Sequence, residues 1–382
     1  MEYWLWLRQI SGIGTILEKR LLDRFASPQA VYEAPAEELL MVEGIGPTLA
    51  QVIVQQRSLE QARTLLEEVL RQNIKLLTYH DPLYPAMARQ PAQAPTLLYY
   101  KGKIKENSIG VAIVGSRRCT DYGKEMAVEA AYFLAQHGIP VISGMAKGID
   151  GYAHTACLKA GGYTIAFLGN GLDICYPKEH DSLLAAIIEN GAVISAYPPG
   201  TRPRPEHFPN RNELISSWSH KVFVVEAGEK GGALITAGFG KDQGKEIYAL
   251  PHEIKSSTGK GVNRLIAKGA HIYLHPSQLL PDFDPDHTGI ASIESLPAST
   301  NNEEIPKLNG ANPNSTNLRK PVRKLSDTEQ KILSSLSSAP KTIEKTSADT
   351  GIDQLQLIQL LSLMELEGLI RTYPGGKFAK SF

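Results

Sequence analysis

The sequence predicts an α/β protein: a doubly wound, mostly parallel sheet at the centre, an all-helical module before it and a winged helix after it. Three observations carry that expectation. Between residues 111 and 274, short β-branched runs alternate with stretches of helical period, which is the pattern of βαβ units. Most of those runs end in a glycine-bearing turn, at the carboxyl end of a strand, where open α/β sheets bind their ligands. Residues 1–75 and 325–382 have helical patterning of their own, and a Ser/Asn/Pro-rich stretch separates the second of them from the centre.

Residues 1–75 form the helical module, and one short motif occurs in it twice. Ile10-Ser11-Gly12-Ile13-Gly14 leads into an amphipathic stretch ending at Phe25, and Val42-Glu43-Gly44-Ile45-Gly46 leads into residues 47–56. The pattern resembles a helix-hairpin-helix of SAM-like type, whose glycines permit a tight turn and whose backbone N–H groups can hold a DNA phosphate. The helices that follow carry few bases, so a purely structural module is the competing expectation. Residues 76–110 connect this module to the centre, with a turn-rich segment at 79–85 and an expected edge strand at 95–102.

The central domain, residues 76–280, then takes shape strand by strand. Residues 111–114 are a continuous apolar run, as in a strand buried on both faces. This run ends in Gly115-Ser116-Arg117-Arg118 and is followed by a helix over 122–137. Further strands are expected at 141–143, 164–168, 193–195, 221–225, 246–250 and 271–274. The second ends in Ser143-Gly144-Met145-Ala146-Lys147-Gly148, and the fifth runs into Gly228-Glu229-Lys230-Gly231-Gly232-Ala233-Leu234-Ile235-Thr236.

These turns fit neither common nucleotide fingerprint. The first strand lacks the G-x-G-x-x-G turn, the second lacks a terminal acid for a ribose, and there is no G-x-x-x-x-G-K-[ST]. Instead cations stand among the glycines: Arg117, Arg118 and Lys147, joined by Arg202, Arg204 and Arg211 from a loop that also brings rings such as Phe208. A strand running through a small-residue turn into a helix N-terminus is a ready anion site. Cations for several phosphates beside a ring for base stacking suit an extended single strand.

At this point the chain resembles the DNA-processing protein A (DprA, or Smf) family. The resemblance rests on GSRRCTDYG, SGMAKGIDGYAHTACLKAGGYTIAFLGNGLDICYP, ISAYPPGTRPRPEHFPNRNELI and VVEAGEKGGALITA, in that order across residues 111–274. It implies an extended Rossmann domain that binds single-stranded DNA, forms a homodimer and loads the RecA recombinase onto DNA entering by natural transformation. It implies phosphate-binding turns at Gly115, Ser116 and Arg117 and at Ser143, Gly144 and Gly148. Phe208, Arg211 and Asn212 match an F-P-x-R-N element, and Gly231, Gly232 and Thr236 match an S-G-S-L-I-T run. Lys147 stands where Arg is usual, which keeps the charge but loses the bidentate fork. Glu213 stands for a common Arg, Ala196 for a common Glu, Gly231 and Ala233 for two serines, and Pro251-His252 for Pro-Gly.

Other candidates read as structural. Asp150 and His154 are four apart on a helix, too few ligands for a metal; Asp150 near the helix start suits a carboxylate satisfying free N–H groups. Glu226 has no partner acid or nucleophile beside it in the sequence, and Cys119 reads as packing. Neither catalytic residues nor a metal or cofactor are expected. The other readings open at this stage are a nucleotide or nucleoside-phosphate hydrolase on a related sheet and a winged-helix DNA-binding regulator.

Residues 281–324 read as a flexible linker with a basic end at Arg319, Lys320, Arg323 and Lys324. In 325–382, Ser326-Asp327-Thr328-Glu329 reads as a capping box, followed by helices to Leu336, over 342–350 and over 353–367, and a hairpin around Pro374-Gly375-Gly376. The third helix contains no Lys or Arg, which suits protein contact or regulation better than reading a DNA groove. Composition agrees with a protein whose nucleic-acid surface is a local patch: 40 Lys+Arg balance 40 Asp+Glu over 382 residues. Three cysteines without C-x-x-C spacing, an acid in the first residues and no apolar run of spanning length predict a cytoplasmic protein without membrane contact.

Overall fold

The computed structural model describes residues 1–106, 108–282, 327–337, 340–354, 357, 360–361, 364, 369–373 and 377–380. They fall into two compact units, divided between residues 296 and 297. The first opens with helices α1 (Glu2–Gln9), α2 (Thr15–Phe25), α3 (Pro28–Glu33), α4 (Ala36–Leu39), α5 (Pro47–Gln55) and α6 (Glu60–Arg71). Both glycine motifs are tight turns, with φ of +81° at Gly12 and +89° at Gly44. The two hairpins close on each other, since a Cβ on Gly12 would meet Leu49 of α5 and one on Gly44 would meet Leu17 of α2.

The sheet follows: β1 (Lys75–Thr78), a short α7 (Ala86–Arg89), β2 (Leu97–Gly102), β3 (Gly110–Val114), α8 (Asp121–Gln136), β4 (Val141–Ser143), α9 (Ile149–Lys159) and β5 (Thr164–Leu168). Then come α10 (Asp181–Asn190), β6 (Ala192–Ser195), α11 (His207–Ser217), β7 (Ser219–Val224), α12 (Gly232–Asp242), β8 (Glu246–Ala249), α13 (Lys260–Ala267) and β9 (His271–Ile272). The nine strands lie in the order β1-β2-β6-β5-β4-β3-β7-β8-β9. From β6 through β9 every neighbour is parallel, and β1 and β2 add on antiparallel. The chain winds outward from β3 to β6, returns across the sheet to β7, and winds outward again. Strand direction of growth therefore reverses beside β3, and that is where such sheets open a crevice.

One expectation needs correction. The strand at 95–102 is not an edge: β2 pairs with β1 on one side and β6 on the other. Leu97, Leu98 and Tyr99 are buried, so both faces of β2 are covered, and the edge strand is β1, Lys75–Thr78. Leu97, Tyr99, Leu168 and Val193 of the sheet share one apolar cluster with Leu5, Trp6, Leu21 and Ile53 of the helical module. Polar ties hold the same seam. Arg8 meets the buried Glu18 at 3.0 Å, Thr96 donates to Glu18, and Lys19 Nζ donates to the Pro91 carbonyl at 2.7 Å.

In the second unit, helices Asp327–Ser335 and Ile343–Thr350 accompany a sheet ordered β10 (Lys341–Thr342), β12 (Lys377–Lys380), β11 (Ile370–Tyr373). Gly351 ends the second helix in the left-handed region, as its sequence position suggests. Residues 354, 357, 360, 361 and 364 are helical, and Leu357, Leu361 and Met364 are buried with Ile332, Ile370 and Phe378. Ser326 of the expected capping box, most of the linker and the turn at 374–376 lie outside the described residues.

Candidate nucleic-acid interface

The carboxyl ends of β3, β4 and β5 open into a cleft walled by α11. Arg117, Gly144, Ala146, Lys147, Tyr176 and Phe208 line it. The first turn is set locally: Ser116 Oγ accepts from the Arg118 N–H at 3.1 Å and donates to the Arg118 carbonyl at 2.7 Å. That closure leaves both arginine side chains exposed. The second turn is fixed against the first. Gly148 has φ +73°, and a Cβ there would lie 2.3 Å from the Ser116 carbonyl oxygen. The Ile149 N–H donates to that same carbonyl at 3.2 Å. The two glycine turns are thus packed directly against each other and tied by a backbone hydrogen bond.

Cations and rings meet above these turns. The Arg117 guanidinium lies 5.4 Å from the centre of the Phe208 ring, and Tyr176 lies 6.1 Å from the same ring at a shallow 35°. Among the described residues, Arg117, Arg118 and Arg202 form no salt bridge. Lys147 is paired with Glu179, and Arg204 stands 3.9 Å from Glu206, in both cases with both partners exposed. Tyr197 stacks on His207 at 4.1 Å and carries the rings along the loop before α11.

Below the surface the expected site residues have a different task. Arg211 is buried, donates to the carbonyls of Gly144 and Phe167, and reaches the Asn212 side chain at 3.1 Å. Gly144 is the only residue type that fits over it, since a Cβ would lie 2.5 Å from the guanidinium. Asp150 supplies the counter-charge and accepts from the Gly144 and Ala146 N–H groups at 3.2 and 3.3 Å. Burial pushes its carboxyl up, opposed by Arg211 and those two amides. Ser143, Asn212 and Thr236 are buried as well; Ser143 bonds the Ile113 carbonyl and Asn212 the Gly232 carbonyl. These residues form the floor, whereas Arg117, Arg118, Lys147, Arg202, Arg204 and the Gly232 backbone reach solvent.

The remaining titratable candidates, His154 and Glu226, are fully buried. His154 is buried and donates from Nδ1 to Thr164 Oγ1 at 2.7 Å, because that hydroxyl gives its own proton to the Val141 carbonyl. Burial, with His180 and Arg211 nearby, pushes its pKa down to about 3. Glu226 is buried and accepts from the Thr120 N–H and hydroxyl, which fixes the start of α8. The described residues hold no cluster of three metal-ligating side chains.

Comparison with known proteins matches this architecture segment by segment. The family described as DNA recombination-mediator protein A matches residues 75–284. The chain belongs to the DprA/Smf family. A DprA winged helix domain matches residues 317–376, and a SAM-like helix-hairpin-helix tandem matches 7–58. Protein Smf of Synechocystis sp. is 31% identical over 400 residues, spanning 99% of this chain and 98% of that one. DprA of Streptococcus pneumoniae is 37% identical over 205 residues, 53% of this chain and 72% of that one. The X-ray structure of DprA from that organism superposes with a TM-score of 0.66 at 29% identity, covering 74% of this chain and 98% of the other.

Sequence reasoning missed Tyr176 and Glu179, which fold over the cleft from the segment after β5. A Tyr-Pro dipeptide was the one available signal for the ring, and nothing local marked the carboxylate. Of the DprA departures, Ala196 and Glu213 share the lining of a second groove, between the sheet and the helical module.

Proposed function

We propose that the strand-end cleft holds the sugar–phosphate backbone and bases of single-stranded DNA, and that the protein acts as a recombination mediator in a homodimer, loading a RecA-type recombinase onto DNA acquired by natural transformation. The observation that carries the binding part is the meeting of the exposed cations Arg117 and Lys147 with the Phe208 and Tyr176 rings in one cleft, while Arg118 beside Arg117, and Arg202 and Arg204 on the loop before α11, are exposed as well. Phosphates pair with the cations, and unpaired bases stack on the rings. A duplex offers the phosphates but keeps its base faces stacked inside, so it forfeits the ring contacts. Membership of the DprA/Smf family supports the mediator role, and the recombinase and the second protomer are part of this reading.

The test is an equilibrium titration of a fluorescent single-stranded oligonucleotide against a duplex of the same length, at several salt concentrations. Preference for the single strand, with affinity falling steadily as salt rises, is the expected result. Equal affinity for both forms would remove the stacking part of the proposal.

A further inference from the structure

A second groove lies on the far side of α11, where the sheet meets the helical module, and it encloses about 110 Å³. Arg8, Thr15, Gln93, Tyr197, Asn210 and Glu213 line it. The helix itself explains why two sites share one wall. At 100° per residue, Phe208 and Arg211 project to one side of α11, while Asn210, Glu213, Leu214 and Ser217 project to the other. The first pair lines the cation cleft and the second set lines this groove. A helix with its side chains is about 10–12 Å across, so a strand leaving Phe208 over the head of α11 reaches the groove within a few nucleotides. Tyr197, stacked on His207 at the start of α11, stands on that route.

The groove is polar in a particular way. Arg8 is committed to Glu18, and Lys19 to backbone carbonyls, so the cations near it are already bound to the protein. Among the described residues, the side chains of Glu213 and Gln93 make no hydrogen bond, and Asn210 makes one long contact, 3.5 Å to the Tyr197 hydroxyl. Glu213 is half-buried; burial raises its carboxyl and the Lys19 charge lowers it. A half-buried carboxylate with amides beside it is poorly suited to phosphate and well suited to the amine edge of a base. Carboxylates accept from the cytosine N4 amine, while asparagine and glutamine complement edges with mixed donors and acceptors.

We propose that this groove is a base subsite that takes an amine-bearing nucleobase, cytosine in the simplest case, from the strand bound in the cation cleft. The proposal rests on the single-strand reading above. Glu213 accepts from the exocyclic amine, and thymine, which presents a carbonyl oxygen in that place, is disfavoured. Ala196, also in the lining, leaves the space for the ring.

The experiment compares oligo-dC with oligo-dT of equal length at pH 8, using the full chain, Glu213→Leu and Ala196→Leu, with melting curves to verify folding. The unmodified protein is expected to bind oligo-dC about tenfold more tightly, the discrimination of one good base contact. Both variants are expected to lose that ratio while their affinity for oligo-dT and its salt dependence stay as they were. Equal affinity for the two oligomers, or a ratio that survives in both variants, overturns the subsite and leaves the single-strand reading standing. Binding of neither oligomer overturns the reading beneath it and the subsite together.

Discussion

Arg211→Ala separates the floor of the cleft from its contact surface. Arg211 is 6% exposed, and its guanidinium satisfies the Gly144 and Phe167 carbonyls while balancing Asp150, itself 5% exposed. Removing it leaves a buried carboxylate without a counter-charge, and breaking a buried pair from one side costs about 3–5 kcal/mol. At about 2–4 °C per kcal/mol for a domain of this size, the melting temperature should fall by roughly 6–20 °C. Asp150 should also titrate higher still, because Arg211 is the largest influence that lowers it. The assay is thermal and urea unfolding of Arg211→Ala, Asp150→Leu and the double variant. The double variant should lose less than the sum of the singles, since no charge is then stranded. A melting temperature within about 2 °C of the parent, combined with weaker DNA binding, would refute the reasoning, because it would mean that the guanidinium faces the strand.

The other outcomes concern charge, stacking and pH. Phe208→Ala should weaken single-strand binding by about 1–3 kcal/mol in an anisotropy titration, with the salt slope unchanged, because no cation is lost. Glu179→Gln should release Lys147 to the strand and tighten binding up to about fivefold, with a steeper salt slope. His154 stays neutral when folded down to about pH 3, whereas in the unfolded chain it protonates near its ordinary 6.5. Its contribution to stability is therefore complete above pH 6.5 and is lost as pH falls toward 3, on the order of 5 kcal/mol in all. Urea midpoints measured across that window should fall less steeply in His154→Leu. Asp150, whose folded carboxyl is raised, works in the opposite sense in both proteins and cancels in the comparison.

The central sheet was legible because its signals are local. A fully buried strand such as Gly110–Val114 must be an apolar run, and each βα turn must carry small residues, so β3 to β9 could be read in order. β1 and β2 were harder. Lys75–Thr78 is four residues long and follows a helix, and only pairing with β6 makes β2 an inner strand. The cations of the cleft were legible as residue types, but not by depth. Arg117 and Arg211 look alike in a sequence. One ends exposed over a turn, while the other is drawn under Gly144 by two carbonyls and by Asp150, which is 61 positions away in the chain. Tyr176 and Glu179 could not be placed, because their position depends on how the segment after β5 folds back over β4. The groove behind α11 was invisible for the same reason, since it needs the helical module in place.

Arg117→Ala tests the account most directly. Arg117 is exposed and forms no salt bridge among the described residues, so its removal should leave the melting temperature within about 1–2 °C of the parent. Titrated with a fluorescent single strand, the variant should lose about 10- to 150-fold in affinity, the loss of one charge-assisted phosphate contact. Its log–log salt slope should become shallower by about 0.7. Unchanged affinity and slope in a folded variant would contradict the claim that the strand-end cleft holds the phosphates of a single strand.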